Sequence, residues 1–210
     1  METAPIIGVE RHRLSTDGKG VTTLVGFWGC PLQCQYCLNP QSWKIKPTRF
    51  LTVKELYDKV VIDQLYFLAT GGGITFGGGE PLLYPTFLKE FRELCGPEWN
   101  ITLETSLNVP FKNLEEALPV ANHFIVDIKE MNDTIYQRYT GKSNRQAMEN
   151  LCWLLKHTDS NNIYVRVPLI AEYNTEEDQK KSIIRLQELG ITNIDTFSYR
   201  KDINKLLNPE

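Results

Sequence analysis

The chain has 210 residues, a length that favours one domain with a sizeable core. It is 41% hydrophobic and 23% charged, as soluble globular proteins are, and its formal net charge of −3 gives no bulk attraction to nucleic acid or anionic membranes. No apolar run approaches the roughly 20 residues that cross a bilayer, and residues 1–10 lack the apolar run of a signal peptide. We therefore expect a single cytoplasmic domain over residues 1–210, with its core at about 20–197.

Residues 1–20 predict an irregular lead-in that ends in a turn, Asp17-Gly18-Lys19-Gly20. Strands and helices then alternate. Predicted strands lie at residues 22–28, 71–76, 100–105, 123–129, 162–169 and 193–197. Predicted helices lie at residues 51–68, 84–95, 113–121, 133–139, 146–157 and 175–189. The first helix has a capping box, with Thr52 at the N-cap and Glu55 three residues later.

This alternation predicts parallel strands joined by right-handed crossovers. Six such units in about 180 residues are too few for a complete eight-stranded barrel. We predict an α/β fold, an open six-stranded parallel partial (β/α)6 barrel that is C-terminally short. An open doubly wound sheet is the alternative.

The five cysteines divide into two groups. Cys30, Cys34 and Cys37 crowd one loop, which argues against a disulfide framework and for a reducing compartment. Cys95 and Cys152 fall in apolar helical patterns and are predicted to be small core residues.

The crowded cysteines have the spacing C-x3-C-x2-C and directly follow the first predicted strand. Three thiolates so close in sequence can converge on one soft metal centre. A structural zinc site needs a fourth closing ligand, and no other Cys or His lies nearby in sequence. Three cysteine ligands suit an iron–sulfur cluster with one open iron, which can bind a substrate or cofactor. The spacing therefore favours an iron–sulfur cluster over zinc.

Glycine and charged residues follow the other predicted strands. Because sites in parallel α/β folds lie at the carboxyl ends of the strands, we expect these residues to surround one cavity. They are the run Gly77-Gly78-Gly79-Glu80, Glu104 with Thr105, Asp127 with Lys129, Arg166 and Arg200. The glycine run allows close approach of the backbone to a ligand, although it matches neither a Rossmann fingerprint nor a P-loop.

Each of these residues also has a simpler interpretation. The glycine run can be a tight turn, and Glu104 can stand at a solvated strand end. Asp127 and Lys129 face the same side of one strand and can form a structural ion pair. Arg166, in an apolar strand, needs a partner, for which Glu104 or a bound carboxylate would serve.

The sequence resembles the radical S-adenosylmethionine (SAM) superfamily, whose signature is C-x3-C-x2-C with an aromatic residue before the last cysteine. It also resembles, over roughly residues 8–190, the glycyl-radical enzyme activases of the pyruvate formate-lyase-activating type. The segments that carry this resemblance are residues 17–20, 29–40, 71–81, 127–132, 139–144 and 166–170.

The resemblance implies a reaction. Cys30, Cys34 and Cys37 would hold a 4Fe-4S cluster whose open iron chelates the amino and carboxylate groups of SAM. One electron, from a flavodoxin or ferredoxin, would cleave SAM to methionine and a 5′-deoxyadenosyl radical. That radical would remove a hydrogen from a glycine of a partner glycyl-radical enzyme. The activase would act as a monomer, without nucleic acid or membrane.

The resemblance also assigns individual residues. Gly78, Gly79 and Glu80 match the motif that holds the methionine amino group, and Tyr36 would meet the adenine through its backbone. Asp17 matches the turn that faces the target peptide.

A second set of matches concerns the SAM carboxylate. Glu104, Thr105 and Asp127 match residues that hold a monovalent cation beside it. Thr105 would also line SAM, together with Lys129 and Arg166.

The sequence departs from the family pattern at four places. Glu104 stands where the family usually has Asp, and Ser106-Leu107-Asn108 replaces a small residue followed by glycine. Ala171-Glu172 replaces Pro-Gly, and Ser198-Tyr199-Arg200 replaces Pro-Tyr-His. These departures leave open a radical SAM enzyme that acts on a small molecule or short peptide. A non-enzymatic zinc-binding module is the third hypothesis.

Overall fold

Alternating strands and helices build an open sheet in the computed structural model, which describes residues 2–14 and 16–199. The strands are β1 (Thr3–Arg13), β2 (Thr22–Phe27), β3 (Phe50–Thr52), β4 (Gly73–Gly78), β5 (Asn100–Thr105), β6 (His123–Asp127), β7 (Ile163–Leu169) and β8 (Ile194–Ser198). The α-helices are α1 (Gln41–Lys44), α2 (Val53–Val60), α3 (Gln64–Thr70), α4 (Pro85–Cys95), α5 (Phe111–Ala117), α6 (Asp133–Thr140), α7 (Arg145–His157) and α8 (Glu176–Glu188). Among the described residues, no helix has the length and apolar character needed to span a bilayer.

The sheet order is β3-β1-β2-β4-β5-β6-β7-β8. The six strands from β2 to β8 that were predicted pair in parallel and in chain order. The order never reverses along these six strands, so the winding is that of a barrel rather than of a doubly wound sheet. The predicted α/β fold with an open parallel sheet is confirmed.

The prediction of an irregular lead-in over residues 1–20 was wrong. Strand β1 pairs antiparallel with β2 and with β3, so the sheet has eight strands rather than six within the described residues. The register of β1 against β2 shifts between Ile6 and Gly8 and again between Glu10 and Arg13. These irregularities, with Pro5 inside the strand, break the alternation of apolar and polar residues by which a strand is recognised.

The predicted helix at residues 51–68 is divided in two. A 3-10 turn, Val61–Asp63, separates α2 from α3. The break coincides with a buried carboxylate, because Asp63 accepts two hydrogen bonds from Arg11 of β1, at 2.7 and 2.5 Å. The predicted capping box of Thr52 and Glu55 at the start of α2 is confirmed.

The two faces of the parallel sheet carry different side chains. The outer face and the helices share a core of large apolar groups, among them Ile74, Phe76 and Leu103. The alternate residues of the same strands, such as Thr102 and Glu104, line a cavity on the concave face. Because alternate residues of a strand point to opposite faces, the core stabilises the fold from one side and leaves the other side for polar groups.

Cys95 and Cys152 are half-buried rather than fully buried. Cys95 packs against the core at the end of α4, as predicted. Cys152 lies in α7 and borders a groove on the outer surface.

Two residues that follow strands adopt a left-handed backbone although they are not glycine. Leu107 has φ = 56° and is fully buried, and Glu172 has φ = 70° and is exposed. Both stand where the resembled family has glycine. The left-handed conformation costs a residue with a Cβ about 1–2 kcal/mol, so other contacts must hold these segments. Asn150 donates to the Leu107 carbonyl at 2.8 Å, and Glu172 accepts a hydrogen bond from Tyr36 at 2.8 Å.

We expect Leu107→Gly and Glu172→Gly to differ in their effect on stability. Leu107→Gly relieves strain but removes a buried side chain worth about 2–5 kcal/mol, so it should lower the free energy of unfolding by about 1–3 kcal/mol. Glu172→Gly relieves similar strain and loses the hydrogen bond with Tyr36, worth about 0.5–1.5 kcal/mol, so it should lie within about 1 kcal/mol of the wild type. Denaturant unfolding of both variants measures the difference. Equal destabilisation by the two would contradict this assignment of strain.

Candidate functional site

The concave face of the sheet encloses a cavity of about 790 Å³ at the carboxyl ends of the parallel strands. Nearly all the residues predicted from the sequence border it. They are Asp17, Cys30, Cys34, Cys37, Gly78, Gly79, Glu104, Thr105, Asp127, Lys129 and Arg166. Tyr36 and Glu80 stand beside the cavity in other surroundings, described below. Arg200 lies outside the described residues.

The cysteine loop is held in place by its backbone. Gln33 and Gln35 donate hydrogen bonds to the carbonyls of Thr140 and Tyr139, at 3.0 and 3.1 Å, so the loop is tied to the end of α6. Asn39 donates to the carbonyl of Gly78 at 3.3 Å, which ties the loop to the end of β4. These contacts bring all three thiols to the edge of one cavity.

Two of the thiols, Cys30 and Cys34, prefer their neutral form in this protein environment. Burial raises the pKa of Cys30 to about 12, and the nearby charge of Glu80 adds to the effect. Burial also raises the pKa of Cys34 to about 11, although the Lys129 ammonium opposes it. A bound metal centre reverses this preference, since coordination deprotonates a thiol outright.

The donor chemistry fits an iron–sulfur cluster. Three soft sulfur ligands open onto a shared cavity beside the glycine run, and thiolates are the ligands that such clusters take. Within residues 2–14 and 16–199, no group of three His, Cys, Asp and Glu side chains is arranged to hold a metal ion. Ligation by the three cysteines stays a prediction.

The glycines that follow β4 allow two backbones to touch. A Cβ on Gly78, whose φ is 86°, would lie 2.5 Å from the Cα of Gly26. A Cβ on Gly79 would lie 2.2 Å from the carbonyl oxygen of Gly29, just before the first cysteine of the loop. No side chain fits at either distance, so the run is more than a tight turn. The glycine run lets the end of β4 contact the start of the cysteine loop, and it leaves backbone atoms facing the cavity.

Glu80 is fully buried among protein donors. Its carboxylate accepts hydrogen bonds from the Thr105 hydroxyl at 2.7 Å and from the backbone and hydroxyl of Ser106 at 3.0 and 2.8 Å. A fourth comes from the backbone of Leu82. Burial raises the pKa of Glu80, and these donors oppose that shift. The side chain thus joins the glycine loop to the end of β5. Contact of this motif with a methionine amino group stays a prediction, and Gly78 and Gly79, which border the cavity, are closer to such a ligand than Glu80 is.

Two ion pairs lie on the concave face of the sheet and border the cavity. Arg166 contacts Glu104 at 2.8 Å, and Lys129 contacts Asp127 at 2.8 Å. Both pairs are mostly buried, and they are the partners that the simpler interpretation of these residues required. They nevertheless line the cavity, so a structural role and a ligand-binding role are compatible.

The pairs perturb the protonation of their members. Burial and the neighbouring Asp127 raise the pKa of Glu104 to about 7, while Arg166 opposes the shift. Burial disfavours the Lys129 ammonium, but the contact with Asp127 outweighs it and raises the pKa of Lys129 well above its usual value. Lys129 therefore stays protonated near pH 7, whereas Glu104 readily takes up a proton.

The turn that carries Asp17 borders the cavity on the side of the amino ends of the parallel strands. Arg13 contacts the Asp17 carboxylate at 2.5 Å, and the Thr75 hydroxyl donates to the Asp17 carbonyl. A Cβ on Gly18 would lie 3.0 Å from the Thr102 hydroxyl, so the turn rests against the lower, threonine-bearing part of the strands. Arg166 also donates to the carbonyl of Thr16, which links the turn to the ion pair above it.

An aromatic group that the sequence analysis did not identify stands beside the cysteine loop. The Tyr36 ring lies 5.8 Å from that of Tyr173 and 6.5 Å from that of Tyr199, and Tyr139 lies 5.1 Å from Tyr173. Tyr36 also donates its hydroxyl to Glu172. Tyr173 and Tyr199 are more than 130 residues from Tyr36, so no local pattern connects them.

The sequence matches the Radical SAM superfamily over residues 26–179. It is 38% identical to a pyruvate formate-lyase-activating enzyme of Clostridium pasteurianum over 141 residues, 64% of this chain and 59% of that protein. It is 32% identical to a pyruvate formate-lyase-activating enzyme of Staphylococcus aureus (strain USA300) over 194 residues, 87% of this chain and 75% of that protein. The chain thus spans less than two thirds of the Clostridium protein, and it spans three quarters of the Staphylococcus protein.

Solved structures agree with the fold. The structure of TYW1 with a lysine–pyruvate adduct bound has a TM-score of 0.59 and covers 85% of this chain and 65% of that chain, at 16% sequence identity. At that identity the similarity concerns the fold alone. The superfamily match and the two relatives are independent of the structural similarity, and they replace the hypothesis of a zinc-binding module. The chain is a radical SAM enzyme, and within the superfamily it belongs to the family of the pyruvate formate-lyase-activating enzymes.

Proposed function

We propose that this enzyme generates a glycyl radical on a partner enzyme, with SAM and a 4Fe-4S cluster held by Cys30, Cys34 and Cys37. One observation carries the proposal. The three thiols, the backbone of the glycine run and two ion pairs meet in one cavity. The names of the curated relatives support activation of a glycyl-radical enzyme as the outcome.

The bound cluster and SAM would supply a one-electron cleavage that yields a 5′-deoxyadenosyl radical. The residues of this chain would bind and orient. Gly78 and Gly79 allow the methionine end of SAM to approach the backbone. Lys129 and Arg166 are cations that could bind the carboxylate of SAM. Each is paired with a carboxylate of the protein that could then bind the ammonium of SAM instead.

The ion pairs suit the methionine end of SAM. The Lys129–Asp127 pair is neutral as a whole, and so is the Arg166–Glu104 pair when Glu104 is ionised. The ammonium and the carboxylate of the methionine end can therefore exchange partners with these pairs, and the sulfonium is the one net charge that SAM adds. Burying the ammonium or the carboxylate without a partner would cost several kcal/mol or more, a penalty that the exchange avoids. Tyr36 and its aromatic neighbours would cover the adenine side of the same ligand.

We also propose the monovalent cation at Glu104, Thr105 and Asp127. Asp127 helps to raise the pKa of Glu104, which shows that two carboxylates lie close together there, and a cation would relieve their repulsion. The cation must compete with Arg166 for Glu104 and with Lys129 for Asp127. The hydroxyl of Thr105 already donates to Glu80 and accepts from the backbone of Leu107, so it would contribute through a remaining lone pair.

The target glycine would enter near Asp17, whose turn borders the cavity. The target must fill the space around the radical, because a primary carbon radical removes hydrogen from any accessible C–H or S–H group. We further propose that residues 1–210 form one domain that acts as a monomer in the cytoplasm, with a flavodoxin or ferredoxin as the electron donor.

The decisive experiment combines the anaerobically reconstituted enzyme with SAM, a reductant and purified pyruvate formate-lyase. We expect a glycyl radical in the electron paramagnetic resonance spectrum and 5′-deoxyadenosine in equal amount. Deuterium at the target glycine should appear in the 5′-deoxyadenosine. A 5′-deoxyadenosine yield that depends on an added metabolite, with no protein radical, would instead identify an enzyme of small molecules or short peptides.

Cys34→Ala should abolish both the bound 4Fe-4S cluster and SAM cleavage, because two sulfur ligands do not hold the cluster. The fold should persist, since Cys34 is half-buried in a loop held by backbone hydrogen bonds. Iron and sulfide content, circular dichroism and 5′-deoxyadenosine formation measure the three properties. Cys152→Ala, a half-buried thiol of α7 outside the cavity, is the matched control and should retain all of them. Wild-type cleavage by Cys34→Ala would refute the cluster assignment.

The raised pKa of Glu104 predicts a pH dependence of stability. The pKa in the folded state is about 7 against an ordinary value of 4.5, so the folded state binds the proton more tightly than the unfolded chain does. The stabilisation from this group is therefore complete below about pH 4.5 and is lost as the pH rises to about 7, a loss on the order of 3 kcal/mol. Glu104→Gln should lack this part of the profile. Unfolding by denaturant between pH 5 and pH 8 tests it, and an equal slope in both proteins would contradict the assignment.

A further inference from the structure

An exposed segment of unusual charge follows the cysteine loop. Between Asp17 and Glu55 the chain has no acidic residue, which is the longest such interval in the sequence. The exposed side chains of residues 38–50 include three large apolar groups and three cations. They are Leu38, Ile45, Phe50, Lys44, Lys46 and Arg49. We call these six side chains the basic patch.

Hydrogen bonds hold this segment beside the cysteine loop. The backbone N–H of Gly29, the residue before Cys30, donates to the carbonyl of Ser42 at 2.7 Å. The indole N–H of Trp28 donates to the carbonyl of Ile45 at 2.6 Å. The segment then enters β3, the edge strand at the opposite end of the sheet order from β8. The basic patch therefore lies next to the start of the loop that carries the three thiols.

The apolar members of the patch are unusually exposed for their size. Leu38 directly follows Cys37, borders the cavity and is 51% exposed. Ile45 and Phe50 are 62% and 56% exposed. A group of exposed apolar side chains beside a functional cavity is typical of a surface that another molecule covers. A protein seated on the patch can lie against the thiol loop without entering the cavity.

The protein does not neutralise the three cations of the patch. Lys44 lies 5.1 Å from the ring centroid of its neighbour Trp43. Within residues 2–14 and 16–199, no ion pair is formed by Lys44, Lys46 or Arg49. The whole chain has a net charge of −3, so these cations form a local positive surface on an acidic chain.

The proposed function requires two protein partners, the target enzyme and the electron donor. The target must bring its glycine into the cavity, because hydrogen abstraction needs contact between the reacting atoms. The donor needs only to come near the cluster, because an electron can cross a short distance through protein. A surface beside the thiol loop and mostly outside the cavity therefore suits the donor. Its charge and apolar centre fit an acidic partner, since opposite charges steer association and interfaces have an apolar core with a polar rim.

We propose that the basic patch docks the electron donor, and that this donor is an acidic flavoprotein of the flavodoxin type. The inference rests on the proposed function and deepens it. The exposed edge of a flavin is apolar, so Leu38 and Ile45 would meet that edge while the three cations meet the carboxylates around it. The reduced flavin loses one electron and the cluster gains it. No bond forms or breaks at the patch.

The first test measures binding and needs no turnover. Oxidised flavodoxin is titrated against the reconstituted full chain at an ionic strength of about 0.1 M, where the Debye length is about 10 Å. Reversal of the three charges should raise Kd at least about tenfold, because each cation then faces a like charge. At about 1 M salt the Debye length is about 3 Å and the difference should largely vanish. The variant is Lys44→Glu with Lys46→Glu and Arg49→Glu.

Two matched controls separate the patch from general effects. Three exposed lysines of α4, α7 and α8 also form no ion pair within the described residues, and their reversal changes the net charge equally but should leave Kd within about threefold. That control is Lys89→Glu with Lys156→Glu and Lys180→Glu. Ile45→Ser should weaken binding about three- to tenfold. Leu65→Ser, at a residue of α3 that is 80% exposed, should not.

Turnover provides the second test. With reduced flavodoxin as the donor, the charge-reversal variant should form 5′-deoxyadenosine at least about tenfold more slowly than the wild type at limiting flavodoxin. With a small chemical reductant such as dithionite, the two proteins should have equal rates and equal glycyl radical yields. A loss with both reductants would mean that the patch serves the target or the cluster, and it would overturn the inference. An unchanged Kd, an equal loss in the lysine control, or tighter binding of a ferredoxin than of flavodoxin would also overturn it. If the wild type forms no glycyl radical with the chemical reductant, the proposed function fails instead, and the binding titration still decides whether the patch docks the flavoprotein.

Discussion

The site depends on the contact between two glycine-bearing backbones. Gly78 and Gly79 end β4 so close to Gly26 and Gly29 that any side chain at the first pair would collide with main-chain atoms of the second. This contact has two consequences. It fixes the cysteine loop against the carboxyl end of the parallel sheet, and it leaves that part of the inner wall without side chains. A cavity of about 790 Å³ can therefore reach from the thiols to the charged pairs at β5, β6 and β7.

Across the cavity from the glycine run, the concave face of the sheet carries charged side chains that form ion pairs with one another. A closed barrel fills its interior with apolar side chains, whereas this open sheet has ion pairs and threonines on its concave face. Such groups are tolerable because each has a partner. Arg166 bonds both Glu104 and the carbonyl of Thr16, and Glu80 has four protein donors. The apolar core on the other face of the same strands supplies the stability that this polar face cannot.

The sequence predicted the parts of this arrangement that depend on local pattern. The three cysteines are close in sequence, and the ends of parallel strands must meet at one edge, so Asp127 and Arg166 could be brought to the same cavity without a structure. The antiparallel strand β1 was missed because Pro5 and Gly8 interrupt its alternation. The surroundings of Glu80 could not be predicted for another reason. A motif specifies that a carboxylate is present but not which protein groups surround it, and here they include Ser106, a residue outside the motif.

Contacts between residues that are far apart in the sequence could not be predicted from local sequence patterns. Nothing near Tyr36 in sequence indicates Tyr173 or Glu172. The two left-handed residues show how far substitution can go within one fold. Leu107 and Glu172 replace glycines of the resembled family and keep a glycine-like backbone, which the structure permits because Asn150 and Tyr36 hold the two segments.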